Sequence, residues 1–293
     1  MTTRPRFFEF PALTLPSLRQ TRPVARRRTL NSFSTLIGGG LALISIVLTC
    51  PAVAGSALPQ GFVYLRDMDP TIVQDIRYAG SHNFVGRPIK GYRAAECILS
   101  EPAAKALQSV QRKLAEKKLS LVVWDCYRPK QAVDDFFRWS KEPAHSEMKP
   151  EFYPRTEKQK LFALGYLARR SAHSRGSTVD VGIVPATFSS APPPSPSQPL
   201  KPCTSPKGER FEDGTIDFGT GYDCLDILAS TSNSGAGATA MRNRQMLKSY
   251  MQQAGYRPYE REWWHFELVD EPFGRGGFDF EVTPPPPPGR PTR

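Results

Sequence analysis

Four residues in the second half of the chain have the types and spacing of a catalytic metal site. His173 and Asp180 are seven positions apart, and Glu262 precedes His265 by three. Two imidazoles and one carboxylate can hold a zinc ion whose fourth position takes water, and a further carboxylate beside it can act as a general base. We therefore predict one zinc ion per chain, with His173, Asp180 and His265 as ligands and Glu262 as the base.

Each of these residues also has an ordinary structural interpretation. A single His is more often structural than a ligand, and an Asp before alternating apolar residues often ends a strand. Trp263 and Trp264 on their own would indicate a core segment. The chain has only four His, however, and two of them stand beside carboxylates. That combination favours a metal site over a domain without metal.

Two apolar runs, residues 179–184 and 263–269, are typical of buried strands. The first carries Asp180 and the second His265, so neighbouring strands would bring both side chains to one face. A glycine between His173 and the first run allows that loop to fold back. The base and the last ligand, three positions apart, would face opposite sides of a regular strand. We therefore expect the base to lie at the start of the strand or in a bend.

The remaining pattern indicates a mixed fold. Apolar residues recur at helical spacing after Ser100, which is a suitable N-cap for a helix over 101–117. The elements follow no β-α-β rhythm, so we predict the α+β class: a small central antiparallel sheet flanked by helices, with the zinc site on the sheet face. Further strands are predicted at 62–65, 73–78 and 119–124. Further helices are predicted at 130–140, 156–170 and 241–254.

The composition divides the chain into segments. The formal net charge of +11 arises largely in the first 54 residues, which contain seven Arg and one Glu. The rest is weakly basic, and we predict no nucleic-acid partner. Most of the 29 Pro also fall in a few clusters. We expect a single catalytic domain at 55–282, with a mobile Pro-rich surface insertion at 186–213 and a disordered polyproline tail at 283–293.

The first 54 residues have the pattern of a secretory signal peptide. Three consecutive arginines, at 26–28, precede an apolar run over 36–48, and Ala-Val-Ala at 52–54 is a suitable cleavage site. The run is shorter than the roughly 20 residues that a membrane span needs. We predict an exported protein, periplasmic or secreted, with no stable membrane span after cleavage; the alternative is a membrane anchor formed by the uncleaved segment.

Four cysteines follow the predicted signal peptide. An even number of cysteines in an oxidising compartment favours two disulfides, and four cysteines allow three pairings. We favour Cys97–Cys126 and Cys203–Cys224, because the second pair would restrain the Pro-rich insertion. The alternative is four free thiols. The absence of a C-x-x-C pair argues against a thiolate zinc site.

Several blocks of the sequence, in the same order, resemble the D-alanyl-D-alanine dipeptidases, a family within a larger superfamily of zinc peptidases of the cell wall. The resemblance runs from about Gly61 to Leu268 and excludes the insertion. The blocks lie at 75–78, 83–84, 124–129, 171–180, 219–223, 242–244 and 262–265. The resemblance implies a zinc-dependent enzyme that hydrolyses free D-Ala-D-Ala to two D-alanines.

The resemblance also implies roles for residues outside the ligand set. Arg128 matches the arginine that stabilises the transition state. Tyr78, Ser171 and Asp223 match positions that line a small dipeptide pocket. Asp223 would hold the substrate ammonium, and Ser171 would hydrogen-bond near the substrate carboxylate. The expected partner is therefore a small dipeptide.

Two other functions remain open from the sequence. Ligand spacing does not distinguish a dipeptidase from a zinc D,D-carboxypeptidase or endopeptidase that acts on peptidoglycan peptides. A catalytically silent module that binds cell-wall fragments is the second alternative, although such a module is expected to have lost Glu262 or Arg128, and both are present. For an exported enzyme, recycling of wall dipeptides is a better fit than antibiotic resistance, which requires destroying the dipeptide in the cytoplasm.

Overall fold

The computed structural model describes residues 57–191 and 198–286. The predicted signal peptide lies outside the described residues, as does the last part of the predicted tail, 287–293. None of the helices in the described ranges has the length and apolar character needed to cross a membrane.

The described chain is an α+β fold, as predicted. Its strands are β1 (Phe62–Tyr64), β2 (Val73–Gln74), β3 (Ile98–Ser100), β4 (Leu119–Asp125), β5 (Thr178–Pro185), β6 (Tyr256–Tyr259) and β7 (Glu262–Leu268). Its α-helices are α1 (Leu65–Met68), α2 (Glu101–Ala115), α3 (Lys130–Lys141), α4 (Lys149–Phe152) and α5 (Ala238–Gln253). Its 3-10 helices are Arg77–Ala79, Lys158–Lys160, Ala172–Arg175, Ile227–Ala229 and Ser234–Ala236.

The main sheet has five strands in the order β2-β4-β5-β7-β6, and β1 pairs with β3 in a separate two-stranded sheet. Four strands of the main sheet are antiparallel, as predicted, but the edge strand β2 runs parallel to β4. The purely antiparallel prediction was wrong at this edge because the chain between β2 and β4 contains the long helix α2. A crossover of this length allows two strands of the same sheet to run in the same direction.

The core forms between the sheet and two helices. Strand β4 is buried over almost its whole length. Helix α2 presents Leu107, Val110 and Leu114, which are fully buried, at the three- and four-residue spacing of one helical face. Helix α5 lies against β6 and also contacts α2. The two helices therefore support the central strands that carry the predicted ligands.

Two predicted elements are wrong. The helix predicted over 156–170 is limited to a 3-10 turn, because Gly165 takes a φ of +80° and the ammonium of Lys158 turns inward to the carbonyl oxygens of Ala144 and His145. The strand predicted over 73–78 ends after two residues, where the chain enters the 3-10 helix Arg77–Ala79. The apolar pattern reveals neither of these interruptions.

Three residues in the described part of the Pro-rich insertion are buried, Cys203, Arg210 and Asp213, and the others are exposed or partly exposed. Cys203 is buried, and its N–H donates to the carbonyl oxygen of Glu151 at 2.9 Å. Arg210 is buried too and forms an ion pair with Asp217 at 2.9 Å. The first residue of the predicted tail, Thr283, is also buried.

Candidate active site

The strand register brings the predicted ligands together. Asp180 on β5 is paired directly with His265 on β7. His173 comes from the 3-10 helix that precedes β5, and Gly176 reverses the chain there with a φ of +79°. A Cβ at Gly176 would lie 2.2 Å from the ring of Phe62, so a larger residue would displace the loop that carries His173.

The three ligand atoms have the mutual distances that a tetrahedral ion requires. Asp180 Oδ1 lies 3.3 Å from His173 Nε2 and 3.1 Å from His265 Nδ1. The two imidazole nitrogens are 3.2 Å apart. Ligand atoms about 2.0–2.1 Å from a tetrahedral zinc ion are separated by about 3.3 Å. The cluster therefore fits a zinc ion without rearrangement.

Contacts behind the cluster fix which ligand atom faces the ion position. His173 Nδ1 donates to the carbonyl oxygen of Cys126 at 2.7 Å, which leaves Nε2 free for a metal. His265 Nε2 lies 3.7 Å from Glu267, on the side away from the cluster. Tyr222 donates to the second oxygen of Asp180 at 3.1 Å. Partners of this kind orient metal ligands in proteins.

Glu262 lies beside the cluster because β7 is irregular. Its pairing with β6 is regular up to Pro258 and Phe266, and then shifts so that Tyr259 pairs with Glu262. This irregularity is the bend expected from the three-residue spacing, and it places a Glu262 oxygen 3.7 Å from His265 Nδ1. Burial raises the pKa of Glu262 to about 7. A carboxyl with such a pKa is suited to exchange protons near neutral pH.

Arg128 is held firmly at the floor of the site. Its Nε donates to Asp125 at 2.8 Å, and one terminal nitrogen donates to the Ser171 hydroxyl at 3.4 Å. Its guanidinium lies over the rings of Tyr78 and Phe136, 5.1 and 5.3 Å from their centroids. These contacts leave the guanidinium little freedom to change its orientation.

Loops form the wall of the site that does not carry the ligand cluster, and we call it the loop wall. Tyr78 donates to a carboxyl oxygen of Asp223 at 2.9 Å, although the two residues are far apart in the sequence. Asp223 has a φ of +54° and is buried, and burial raises its pKa well above the usual range. The next residue, Cys224, forms a disulfide with Cys203.

The structure contains both of the favoured disulfides. The Cα atoms are 5.3 Å apart in Cys97–Cys126 and 5.5 Å apart in Cys203–Cys224, as disulfides require. One cysteine of each pair is linked to a site residue. The carbonyl oxygen of Cys126 accepts the hydrogen bond from His173, and Cys224 follows Asp223 directly. The disulfides therefore restrain both sides of the site.

The predicted residues line one cleft of about 640 Å³. The chain also matches the family model of the D-ala-D-ala dipeptidases, Peptidase_M15, over residues 59–187 and 209–283. The chain belongs to the D-Ala-D-Ala dipeptidase family. The predicted site residues on the walls of the cleft are Tyr78, Arg128, Ser171, His173, Asp180, Asp223, Glu262 and His265.

Curated relatives of this family member carry the same description. It is 32% identical over 227 residues to a D-alanyl-D-alanine dipeptidase of Enterococcus faecalis, which covers 77% of this chain and all of the relative. It is 31% identical over 222 residues to one of Streptomyces coelicolor, covering 76% of this chain and 98% of the relative. The segment that the family model leaves out, 188–208, falls within the Pro-rich insertion.

Sequence reasoning missed two residues of this dipeptidase-family site. Asp125 pairs with Arg128, and Tyr222 bonds to Asp180. Asp125 could have been noticed as a carboxylate that ends a long apolar run. Both residues also lie in blocks that resemble the family, 124–129 and 219–223, but no role was assigned to either of them.

The site concentrates acidic groups. Four buried carboxyl groups lie in and behind the cleft floor around the guanidinium of Arg128: Asp125, Asp180, Asp223 and Glu262. Buried carboxylates are costly unless cations pair with them. A divalent metal at the ligand cluster and an ammonium at the loop wall would supply that positive charge.

Proposed function

We propose that this chain hydrolyses D-alanyl-D-alanine to two D-alanines with one bound zinc ion. The observation that carries the proposal is the set of ligand atoms 3.1–3.3 Å apart, with the carboxyl of Glu262 beside it. The curated relatives named above are dipeptidases for this substrate. His173, Asp180 and His265 would hold the zinc, which supplies, when bound, the Lewis acidity that makes water nucleophilic near neutral pH.

Glu262 acts as the general base and then as the general acid. It accepts a proton from the attacking water and passes a proton to the departing amine. Its burial supports this double role, because a pKa of about 7 allows the carboxyl to be ionised before attack and protonated after it. The position of its oxygen next to the ligand cluster is the second support.

Arg128 stabilises the negative charge that develops on the carbonyl oxygen of the substrate. Its guanidinium stays charged at any relevant pH and is fixed by Asp125 in advance of the reaction. A preorganised donor in a buried site is worth far more than the same donor in water. Arg128 therefore lowers the barrier without a reorganisation cost during the step.

The loop wall recognises the two ends of the dipeptide. Asp223, together with Tyr78, binds the substrate ammonium, and the Ser171 hydroxyl donates to the substrate carboxylate. A longer peptide would leave one of these buried groups without a partner, at a cost of about 1–3 kcal/mol. Selectivity for a free dipeptide follows from binding both termini.

A carboxypeptidase acting on wall peptides is the second candidate, and the size of the cleft favours it. A volume of about 640 Å³ lies within the range of about 300–1,000 Å³ that is usual for larger ligands. A silent binding module is disfavoured, since Glu262 and Arg128 are both present and both line the cleft.

We also propose that the chain is exported. Residues 1–54 serve as a cleaved signal peptide and 55–282 as one catalytic domain. The two disulfides support an oxidising compartment, periplasmic or extracellular. In that compartment the enzyme recycles dipeptides released from the wall, and it has no nucleic-acid partner. A retained membrane anchor is the alternative for the first segment.

The test is release of free amine by the purified chain from D-Ala-D-Ala, L-Ala-L-Ala and a pentapeptide that ends in D-Ala-D-Ala. We expect cleavage of D-Ala-D-Ala alone, abolished by a chelator and restored by added zinc. Faster cleavage of the pentapeptide would establish the carboxypeptidase instead. A folded, zinc-loaded chain that cleaves none of the three would support the binding module.

A further inference from the structure

We infer that Asp125 is a positioning residue that holds Arg128 in its working orientation and joins it to the ligand His173; the inference rests on the proposed function. Asp125 is the last residue of β4 and is completely buried. It is not a wall of the cleft, so it acts through its neighbours and does not touch the substrate.

The carboxylate of Asp125 contacts both Arg128 and His173. Its Oδ2 atom accepts from Arg128 Nε at 2.8 Å, and the Arg128 terminal nitrogen NH2 lies at the same distance. His173 Nδ1 lies 3.4 Å from the same oxygen. The other oxygen accepts from the Tyr92 hydroxyl at 2.6 Å. The carboxylate is thus oriented on one side by Tyr92 and shared on the other side by Arg128 and His173.

Position in the sheet explains why this residue can make both contacts. The pairing of β4 with β5 shifts at Trp124, so that Asp125 stands opposite the ligand Asp180. Arg128 follows three residues later, and its backbone N–H donates to the carbonyl oxygen of His173 at 3.2 Å. The segment after β4 is therefore tied to the ligand loop by a backbone bond and by the Asp125 carboxylate.

Charge, and not shape alone, is required of this residue. Only 11% of the Arg128 side chain is exposed, and a guanidinium so largely removed from water needs a carboxylate partner. Asp180 is 3.7 Å from Arg128, but its oxygens are directed to the ligand cluster and to Tyr222. Without the Asp125 charge, Arg128 would turn toward Asp180 and leave the position where it meets the substrate oxygen.

The chain offers a matched control pair away from the cleft. Asp135 is buried and accepts from both terminal nitrogens of Arg87, at 2.7 and 3.0 Å. Asp135→Asn also removes the charge of a buried aspartate that is paired with an arginine. Neither Asp135 nor Arg87 lines the cleft. Its effect measures what the loss of such a pair does to folding alone.

The experiment measures steady-state turnover of D-Ala-D-Ala by Asp125→Asn, Asp135→Asn and the wild-type chain. The zinc content of each protein is the second readout. We expect Asp125→Asn to lower kcat by about 10–100-fold, with smaller change in KM and with zinc still bound, because His173 keeps its bond to the Cys126 carbonyl. Asp135→Asn should keep the wild-type kcat. A wild-type kcat in folded Asp125→Asn would overturn the inference.

Rescue with guanidinium ion separates positioning from a general structural role. Guanidinium added to Arg128→Ala should restore part of the lost turnover, since the Asp125 carboxylate can still bind the ion in place of the missing side chain. The double variant Asp125→Asn, Arg128→Ala should gain much less. Equal rescue of both would overturn the inference. If Asp125→Asn does not fold, Tyr92→Phe, which removes the other bond of the carboxylate, should lower kcat with zinc retained, and an unchanged kcat would overturn the inference.

Failure of the proposed function gives a different result. A wild-type chain with bound zinc that releases no amine would refute the proposed function. Thermal unfolding then tests the pair directly: Asp125→Asn should lower Tm more when Arg128 is present than when it is Ala. Equal losses in both backgrounds would show that Asp125 does not hold Arg128, and would overturn the inference as well.

Discussion

The two halves of the cleft are built in different ways. The paired strands β5 and β7 and the turn that leads into β5 form one of them, which we call the strand half, and loops form the other, the loop half. The strand half consists of His173, Asp180, Glu262 and His265. The loop half consists of Tyr78, Ser171 and Asp223, and Tyr222 adjoins it from outside the lining of the cleft.

The comparison shows how each half gains its precision. In the strand half, the pairing of Asp180 with His265 fixes two ligands through the backbone, and hydrogen bonds set the side-chain orientation. In the loop half, Asp223 takes a backbone conformation with positive φ that few non-glycine residues adopt. The Cys203–Cys224 bond next to it supplies the restraint that a sheet would otherwise give. The strand half should therefore govern metal and turnover, and the loop half should govern substrate binding.

The largest effect is expected for Glu262→Gln. Removal of the base should lower kcat by about 10²–10⁴-fold, because proton transfer loses its acceptor. Zinc content should stay at one per chain, since the three ligand atoms are untouched. Steady-state kinetics and metal analysis measure both. Glu260→Gln, two residues earlier and exposed, is the control and should behave as wild type. Loss of zinc from Glu262→Gln would make Glu262 a ligand.

A smaller effect, of another kind, is expected for Asp223→Asn. Burial raises the pKa of Asp223, and a bound ammonium favours its ionised form. Asn cannot ionise, so the substrate ammonium would lose a charged partner, worth about 1.5–3 kcal/mol, or roughly 10–100-fold in kcat/KM. Most of the change should appear in KM, with zinc content unchanged, and substrate titrations on the zinc-loaded variant measure it. Asp213→Asn is the control, because Asp213 is a buried loop carboxyl outside the cleft. An unchanged KM in Asp223→Asn would place recognition of the ammonium elsewhere.

The two disulfides allow the comparison to be tested with matched changes. Replacing either pair by Ser should lower the free energy of unfolding by about 3–4 kcal/mol, since the closed loops are of similar length, 29 and 21 residues. Loss of Cys203–Cys224 should raise KM, because Asp223 is no longer restrained. Loss of Cys97–Cys126 should weaken zinc binding, because the Cys126 carbonyl orients His173. The rise in KM on loss of Cys203–Cys224 should be smaller than the rise for Asp223→Asn. Identical phenotypes for the two pairs would break the division into halves.

The same division describes what the sequence could predict. Asp180 and His265 lie in apolar runs that were predicted as strands, and the structure supplies the condition for their meeting, because it shows the two strands as neighbours. The bend at Glu262 was predictable as well, because a regular strand would have separated the base from the ligand. Strand patterning determines local geometry strongly enough to be recognised without any other knowledge.

The loop half could not be predicted in this way. Tyr78 and Asp223 are 145 positions apart, and the spacing of residues does not encode such a contact. These residues were identified through resemblance to a family. The helix predicted over 156–170 was wrong for a related reason, since its helical spacing gave no sign that Gly165 would take a left-handed conformation. Long-range polar contacts decide these loops, and they appear only in the folded chain.

The smallest effect is expected for Tyr222→Phe, which tests the contact between the two halves. Tyr222 adjoins the loop half, stacks on Trp124, and donates to the Asp180 oxygen that does not face the ligand cluster. Removal of one hydroxyl should cost about 0.5–1.5 kcal/mol, or roughly 2–10-fold in zinc affinity, with the ring packing preserved. Competition with a chromogenic chelator measures the affinity. Asp223 is the next residue, so Tyr222 could instead support substrate binding. A change confined to KM would show that Tyr222 acts only on the loop half and that the two halves are independent.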